Sequence, residues 1–289
     1  FSSLKQVSIS GLILLTLLSL LTIFLNSCQL KYLTQFFGIQ LKFKEWLGLS
    51  VSNTMYNYYM PARGGSVLKA IYLKNKYNLT YSNFVSLTAG AYLSGFLLAG
   101  LSSAFFISLY FVIYQVFYKT VFLISIGIAL GTVLLAYIVL TFQFSYILRK
   151  NTRIKKFINN VENSLIFFKS NSRLLIKILF FKLLLIIILG VKLFWAFKSV
   201  GIEVNLIAVL IVQSFVVFSM VLSLTPGNLG IREGIIGLLS SMLDIPLKEA
   251  ILGAVIDRAI MMILVICLGL IFTKILSDDF TLRSGAAIH

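Results

Sequence analysis

Long apolar runs with almost no charge are the feature that most restricts the fold of this chain. They include residues 9–24, 121–144, 183–189 and 207–224, and several approach the roughly 20 residues that a helix needs to cross a bilayer. With 59% hydrophobic and 12% charged residues, a chain of 289 residues cannot bury its apolar surface in a soluble core. A transmembrane β-barrel would show alternating segments of about 10 residues, whereas these runs are continuous. The predicted fold class is therefore all-α, a polytopic helical protein that passes several times through the cell (plasma or inner) membrane.

The apolar pattern predicts about seven long transmembrane helices and two short ones. The long helices are 7–26, 45–60, 83–117, 121–148, 174–199, 204–224 and 247–275. The short helices, 64–77 and 230–243, each follow a helix-breaking phrase and are either broken or re-entrant. Residues 1–289 are predicted to form a single transmembrane domain.

The two helix-breaking phrases are similar to each other and lie at the ends of apolar runs. They are residues 61–65 (PARGG) and 226–234 (PGNLGIREG). Helix breakers beside charges are costly at membrane depth unless they line an enclosed or watery site. Their matching positions predict an internal repeat with halves 7–148 and 174–275, and two broken segments that face one central site. We predict a parallel repeat, with both breaks on the cytoplasmic side.

The net charge of +16 has a simpler explanation than nucleic-acid binding. Positive residues of membrane proteins collect in cytoplasmic loops and bind anionic lipid headgroups. Residues 149–173 contain seven Lys and Arg against one acid, so we predict that they form a basic cytoplasmic loop that joins the two halves. In this scheme the C-terminus lies outside. Lys31, Lys42 and Lys44 also fall outside, against the positive-inside rule.

A group of charged and turn-forming residues in and after the two phrases is the candidate site. The start of the second short helix has free N–H groups that favour an anion, and arginine suits phosphate. We predict that Arg258 pairs with Glu233, and that Asp257 pairs with Arg232 or Arg63. The alternative is a purely structural ion-pair network. The candidate headgroup-binding residues are Arg63, Asn228, Gly230, Arg232 and Arg258, and the orienting acids are Glu233 and Asp257.

Two lysines and the scarcity of metal ligands complete the prediction for the site. Lys182 and Lys192 lie deep in one apolar helix and could line a central cavity. The two cysteines are isolated and the one histidine is His289, which leaves poor means for metal or triad chemistry. We predict no metal, no cofactor and no catalytic residue.

The order of these motifs resembles the transmembrane region of lysylphosphatidylglycerol synthase, a flippase-like membrane family. The resemblance covers about residues 40–275 and is carried by Pro-x-Arg-Gly-Gly at 61–65, by Pro-Gly-x-x-Gly-x-Arg-Glu at 226–233, and by Ala250, Asp257 and Arg258. It implies binding or movement of a phospholipid or another lipid with a charged headgroup. The chain departs from the family pattern at 65–66 and 88–92, where acidic residues are missing. We therefore expect the functional site mainly in the second half of the chain.

The predicted function is binding and transbilayer movement of a phosphate-bearing lipid, with an anionic phospholipid or a polyprenyl-linked glycan as partner. One alternative is a membrane subunit that presents a lipid to a separate partner transferase. Another is a membrane-embedded transferase with Asp257 or Glu233 as base. Synthesis from aminoacyl-tRNA by this chain alone is not expected, because the resemblance implies that it needs a soluble domain and 149–173 is too short to be one.

Overall fold

The computed structural model describes residues 9–60, 63–141, 172–220 and 225–286. They form nine α-helices and two short 3-10 turns, at 217–220 and 226–228. In chain order the helices are α1 (Ile9–Gln35), α2 (Phe43–Tyr59), α3 (Gly64–Tyr77), α4 (Tyr81–Tyr114), α5 (Lys119–Thr141), α6 (Ser172–Ser199), α7 (Leu206–Val216), α8 (Ile231–Ser241) and α9 (Leu247–Ala286). Pro61, Ala62 and nearly all of the predicted loop 149–173 lie outside the described residues.

The helical fold class is confirmed, and three predicted helices differ clearly in length from the observed ones. Helix α9 continues to Ala286 rather than ending near residue 275. Helix α1 continues to Gln35 rather than ending near residue 26, because polar side chains such as Ser27 donate to the carbonyl four residues back (2.7 Å to Ile23) without interrupting the helix. Helix α7 ends at Val216, well before the predicted residue 224, and passes into a 3-10 turn.

Among the described residues, the helices α1, α4, α6 and α9 are long and apolar enough to cross a membrane, and shorter apolar helices lie within α5 and α7. Their outward faces carry exposed large side chains such as Leu17, Phe105, Leu130, Phe180 and Leu270. A lipid environment is the physical setting in which such surfaces cost nothing. The protein is a multi-pass membrane protein.

Helices α2 and α3 form a helical hairpin around the first break. Close to the break, the backbone N–H of Gly65 donates to the side-chain oxygen of Asn57 (3.0 Å). At the other end, the hydroxyl of Tyr77 in the last turn of α3 donates to the carboxylate of Glu45 in the first turn of α2 (2.6 Å). Helix α3 thus returns to the level at which α2 begins. Arg63 lies at the tip, in a left-handed conformation with φ 58°.

Helices α7 and α8 form a second hairpin around the second break, with its tip at 225–230. Asp244, just after α8, accepts a hydrogen bond from the hydroxyl of Tyr118, just before α5 (3.2 Å). Leu243 lies in the same buried cluster as Ile202, which precedes α7. Helix α8 therefore also returns to the level at which its partner helix begins.

The two hairpins open toward opposite ends of the bundle. The first opens beside the start of α4 at Tyr81, and the second opens beside the end of α4 at Tyr114. At about 1.5 Å per residue, the 17 residues of α2 extend through most of a hydrocarbon core about 30 Å thick. Both tips therefore lie at membrane depth, and the predicted placement of both breaks on the cytoplasmic side is wrong.

The distribution of charge assigns the two ends of the bundle. The open end of the first hairpin is strongly basic, with Lys31, Lys42, Lys44, Lys74, Lys76, Arg173 and Lys177. The opposite end mixes Lys119, Lys198 and Lys248 with Glu203, Asp244 and Glu249. From the positive-inside rule we expect the basic end in the cytoplasm. On that assignment the lysines at 31, 42 and 44 and the far end of α9 lie inside, which differs from the outside C-terminus expected from the sequence.

Helix packing is reciprocal between the two halves. Helix α1 packs on α6, α2 packs on α9, and α4 packs on α7. If α1–α4 are matched to α6–α9 in chain order, the α2–α9 pair is converted into the α4–α7 pair and the α1–α6 pair into itself. A two-fold relation between the halves requires this exchange. Because the hairpins open in opposite directions, such a relation is inverted rather than parallel. A duplication of the halves 7–148 and 174–275 itself stays a prediction.

Candidate functional site

The tip of the second hairpin contacts the end of the first. Gly227, with φ +57°, lies between the ring of Tyr58 in the last turn of α2 and the guanidinium of Arg258. A Cβ at position 227 would lie 2.5 Å from the Tyr58 ring, so this close approach requires glycine. The guanidinium of Arg258 also lies over the Tyr58 ring, 5.6 Å from its centroid, and donates to the Gly227 carbonyl.

Two adjacent residues of α8 pair with two adjacent residues of α9. Arg232 donates to Asp257 (2.7 Å), and Arg258 donates to Glu233. Adjacent positions on a helix point in different directions, so each charge needs a partner on another helix. The predicted Arg258–Glu233 pair is confirmed. Asp257 takes Arg232 as its partner, and the alternative pairing with Arg63 is not observed.

Lys192 of α6 is a further member of this network. Its ammonium lies 3.0 Å from the second oxygen of Asp257 and 3.2 Å from the hydroxyl of Ser19 on α1. Lys192 and Asp257 are both buried. We define the tip network as Lys192, Arg232, Glu233, Asp257 and Arg258, which joins α6, α8 and α9 beneath the second hairpin tip.

The tip network contains three cations and two carboxylates, so one positive charge is not balanced within it. A buried excess charge is costly and needs a further anion or water. The side chain of Arg232 is 17% exposed, whereas those of Lys192 and Asp257 are 3% and 4% exposed. Of these groups, Arg232 is thus the cation that an incoming anion could contact most directly.

The N-terminus of α8 already holds a carboxylate. Glu233 accepts a hydrogen bond from the backbone N–H of Gly230 (2.9 Å) and is also paired with Arg258. Gly230 has φ +81° and forms the N-cap of α8. The helix start that the sequence predicted as an anion site is therefore occupied by the protein's own acid, so a phosphate would have to take the place of Glu233.

The remaining predicted residues lie in the two tips. Asn228 has φ +63°, and its backbone N–H donates to the carbonyl of Thr225 (3.0 Å), so it shapes the second tip. Arg63, in the first tip, lies over the ring of Tyr92 on α4, 4.9 Å from its centroid. The structure thus brings Arg232, Arg258, Glu233 and Asp257 together, and it places Arg63 against α4.

A second ionic cluster lies at the open end of the first hairpin. The buried carboxylate of Glu45 is 2.6 Å from the ammonium of Lys76 and accepts from the hydroxyls of Tyr77 (2.6 Å) and Tyr72 (3.2 Å). It also accepts from the backbone N–H of Lys42 (2.7 Å). We call these residues the edge cluster. Burial raises the pKa of Glu45, but its hydrogen bonds to Lys76, Tyr77 and the Lys42 backbone outweigh burial and hold the pKa below its usual value.

Two features of these sites are not apparent from the sequence. The role of Glu45 depends on Tyr72, Lys76 and Tyr77, which are about 30 residues away along the chain. The roles of Tyr58 and Ser19 depend on close approaches between helices that no local pattern encodes. Lys192, which the sequence analysis placed in the lining of a central cavity, is instead buried and held by Asp257 and Ser19. Its signal was a lysine in the middle of an apolar helix, which needs a buried partner.

Comparison with protein families gives a match over most of the chain. The family model described as "Lysylphosphatidylglycerol synthase TM region" matches residues 1–269. This range covers α1–α8 and most of α9, and it contains every residue of the tip network and of the edge cluster. No curated protein matches the chain.

Proposed function

Because this chain belongs to the lysylphosphatidylglycerol synthase transmembrane-region family, we propose that it binds a phosphate-bearing lipid where the hairpin tips meet and moves it across the bilayer. The supporting observation is the tip network itself, a group of charges at membrane depth that contains one more cation than acid. Ionisable residues at this depth mark substrate pathways more often than not.

The proposed mechanism is an exchange of partners. An arriving phosphate accepts charge-assisted hydrogen bonds from the planar guanidinium of Arg232, and such bonds are strong. It also accepts hydrogen bonds from the backbone N–H groups at the start of α8. Glu233 then leaves the Gly230 N–H and stays with Arg258, while Asp257 keeps Lys192. The acyl chains of the lipid stay in the bilayer, and no bond is made or broken.

Hairpins that enter from opposite sides suit this task. Each tip is supported from one side of the membrane only, so a small tilt of either hairpin would open the central site toward that side. The glycines at 227 and 230, both with positive φ, allow the second tip to bend without a clash of Cβ atoms. Alternating access around a fixed central site is the general behaviour of inverted-repeat transporters.

The transferase alternative has less support from the geometry. A general base needs a carboxylate with room for a substrate proton, whereas Asp257 is held by two cations and Glu233 by Arg258 and Gly230. The subunit alternative, in which the chain presents lipid to a partner transferase, uses the same site. It predicts that the purified chain binds lipid but does not move it.

The test is movement of phosphatidic acid with a fluorescent acyl chain in vesicles that contain the purified chain, followed by reduction of the outer-leaflet label with dithionite. Arg232→Ala should slow movement about tenfold or more, because a charged hydrogen bond is lost. The fold should persist because Asp257 retains Lys192. Lys198→Ala, on an exposed lysine near the end of α6, is the matched control. Movement by Arg232→Ala at the wild-type rate would refute the proposed site.

A further inference from the structure

A row of cations follows one face of α4 from the cytoplasmic end to the centre of the molecule. Lys74 lies over Tyr81 (4.3 Å to the ring centroid), Lys69 over Phe84 (5.7 Å) and Arg63 over Tyr92 (4.9 Å). The next position along the face is Gly95, where an added Cβ would lie 3.2 Å from the ammonium of Lys182. We call Lys74, Lys69, Arg63 and Lys182 the cation row.

The α4 positions that carry the row share one helix face. Tyr81, Phe84, Tyr92 and Gly95 are separated by three, eight and three residues, which are spacings of a single face at about 3.6 residues per turn. Three cations come from the first hairpin and the fourth from α6. The row is therefore assembled from separate helices and is not simply the polar face of one amphipathic helix.

The α4 face beside the row is only loosely covered by the rest of the protein. Helices α2 and α3 pack closely on each other, whereas α3 and α4 contact each other little. On α4, residues 88–94 and 96–98 are all half-buried, neither packed into the core nor fully exposed. At the inner end, the ring of Phe96 stacks on Phe218 (5.0 Å between centroids), in the segment that leads to the second tip.

Carboxylates do not neutralise the middle of this row. Within residues 9–60, 63–141, 172–220 and 225–286, no acidic side chain pairs with Lys69 or Lys182. Both lysines are half-buried, and a partly buried cation without a counterion is costly. For Lys69 the contact with the Phe84 ring offsets only part of this cost, whereas an anionic ligand would offset it for both lysines.

Resting on the proposed function, we propose that the cation row is the cytoplasmic entry path for the lipid headgroup and that it selects headgroups with two or more negative charges. Such headgroups are phosphomonoesters and diphosphates. A headgroup that carries a free amine, such as a lysyl ester, meets repulsion from the row and is excluded. The aromatic rings beneath the cations keep the row ordered while it is empty.

Equilibrium binding of short-chain lipids to the purified full chain tests this path. The probes are dihexanoyl phosphatidic acid, dihexanoyl phosphatidylglycerol and dihexanoyl lysylphosphatidylglycerol, in a neutral detergent. Affinity should fall in that order. Lys182→Met and Lys69→Met should each weaken phosphatidic acid binding about tenfold, since each removes a charge-assisted contact, and Lys182→Arg should restore it.

Stability separates a ligand-binding role from a structural one. Lys182→Met and Lys69→Met should leave the melting temperature equal to or above that of the wild type, because each removes a cation that has no acidic partner among the described residues. Lys198→Met is the matched control, because Lys198 also lies over an aromatic ring (Phe194, 4.8 Å) but at the opposite end of the molecule.

Several outcomes would overturn the entry path. Wild-type binding of phosphatidic acid by both methionine variants, or equal wild-type affinity for the lysyl lipid, would refute it. Inorganic diphosphate that binds as tightly as phosphatidic acid would assign the row to a free anion rather than a lipid. If Arg232→Ala stops lipid movement while the row variants bind normally, the proposed function stands and only the entry path fails.

Discussion

The edge cluster and the tip network use the same residue chemistry at two depths, with opposite charge balance. In the edge cluster one carboxylate, Glu45, is contacted by four donors, and one of these donors is the ammonium of Lys76. In the tip network two carboxylates are shared among three cations, and Arg232 keeps an exposed portion. A saturated acid holds two helices together. A network with excess positive charge retains a capacity to bind an anion.

Removing one charge at the centre should have the largest effect. Asp257→Asn leaves Lys192 and Arg232 buried without their shared carboxylate, which should cost about 3–5 kcal/mol. The expected result is a large fall in the melting temperature of the purified protein and loss of lipid movement. The double change Asp257→Asn with Lys192→Met should recover part of the stability without recovering movement. A single variant with wild-type stability would contradict the buried pairing.

The same amide replacement at the edge should have a smaller and purely structural effect. Glu45→Gln keeps acceptors for Tyr77 and the Lys42 backbone but loses the pairing with Lys76, which should cost about 1–2 kcal/mol. Lipid movement per folded molecule should match the wild type. If Glu45→Gln slowed movement as strongly as Arg232→Ala, the distinction between the two clusters would fail.

The pH dependence of stability should follow from the same pairing at the edge. The pKa of Glu45 is lower in the folded protein than its ordinary value of 4.5. Its contribution to stability is therefore complete above about pH 4.5 and is lost as the pH falls through the folded pKa. Glu45→Gln removes this contribution, so thermal unfolding of the wild type and the variant should converge in acid.

The sequence was sufficient for the fold class and for part of the site. Continuous apolar runs require membrane helices, and the adjacent charges at 232–233 and 257–258 required partners on another helix, so the Arg258–Glu233 pair could be predicted. The direction of the hairpins could not. Residues 226–234 are equally compatible with the end of a crossing helix and with a turn at membrane depth. The contact of Asp244 with Tyr118 and the shared cluster of Leu243 and Ile202 distinguish the two.

The edge cluster and the cation row were beyond sequence reasoning for a related reason. The contacts of Tyr77 with Glu45, and of Lys182 with the surface at Gly95, join positions far apart in the chain. The lysines themselves were visible, but whether a lysine lies near an acid, an aromatic ring or lipid is decided by helix packing. Lys192 and Lys182 lie ten residues apart in one helix, yet only Lys192 is paired with a carboxylate.

The most direct test of the central claim, two hairpins that enter from opposite sides and meet at the tip network, is labelling of single cysteines with a membrane-impermeant maleimide. In a Cys28→Ala, Cys267→Ala background, cysteines at Lys44 and Asn75 flank the first hairpin, and cysteines at Glu203 and Lys248 flank the second; all four native side chains are exposed. We predict that positions 44 and 75 are labelled only from the cytoplasm, and that 203 and 248 are labelled only from outside. Labelling of both hairpins from one side, or of the two ends of one hairpin from different sides, would contradict it.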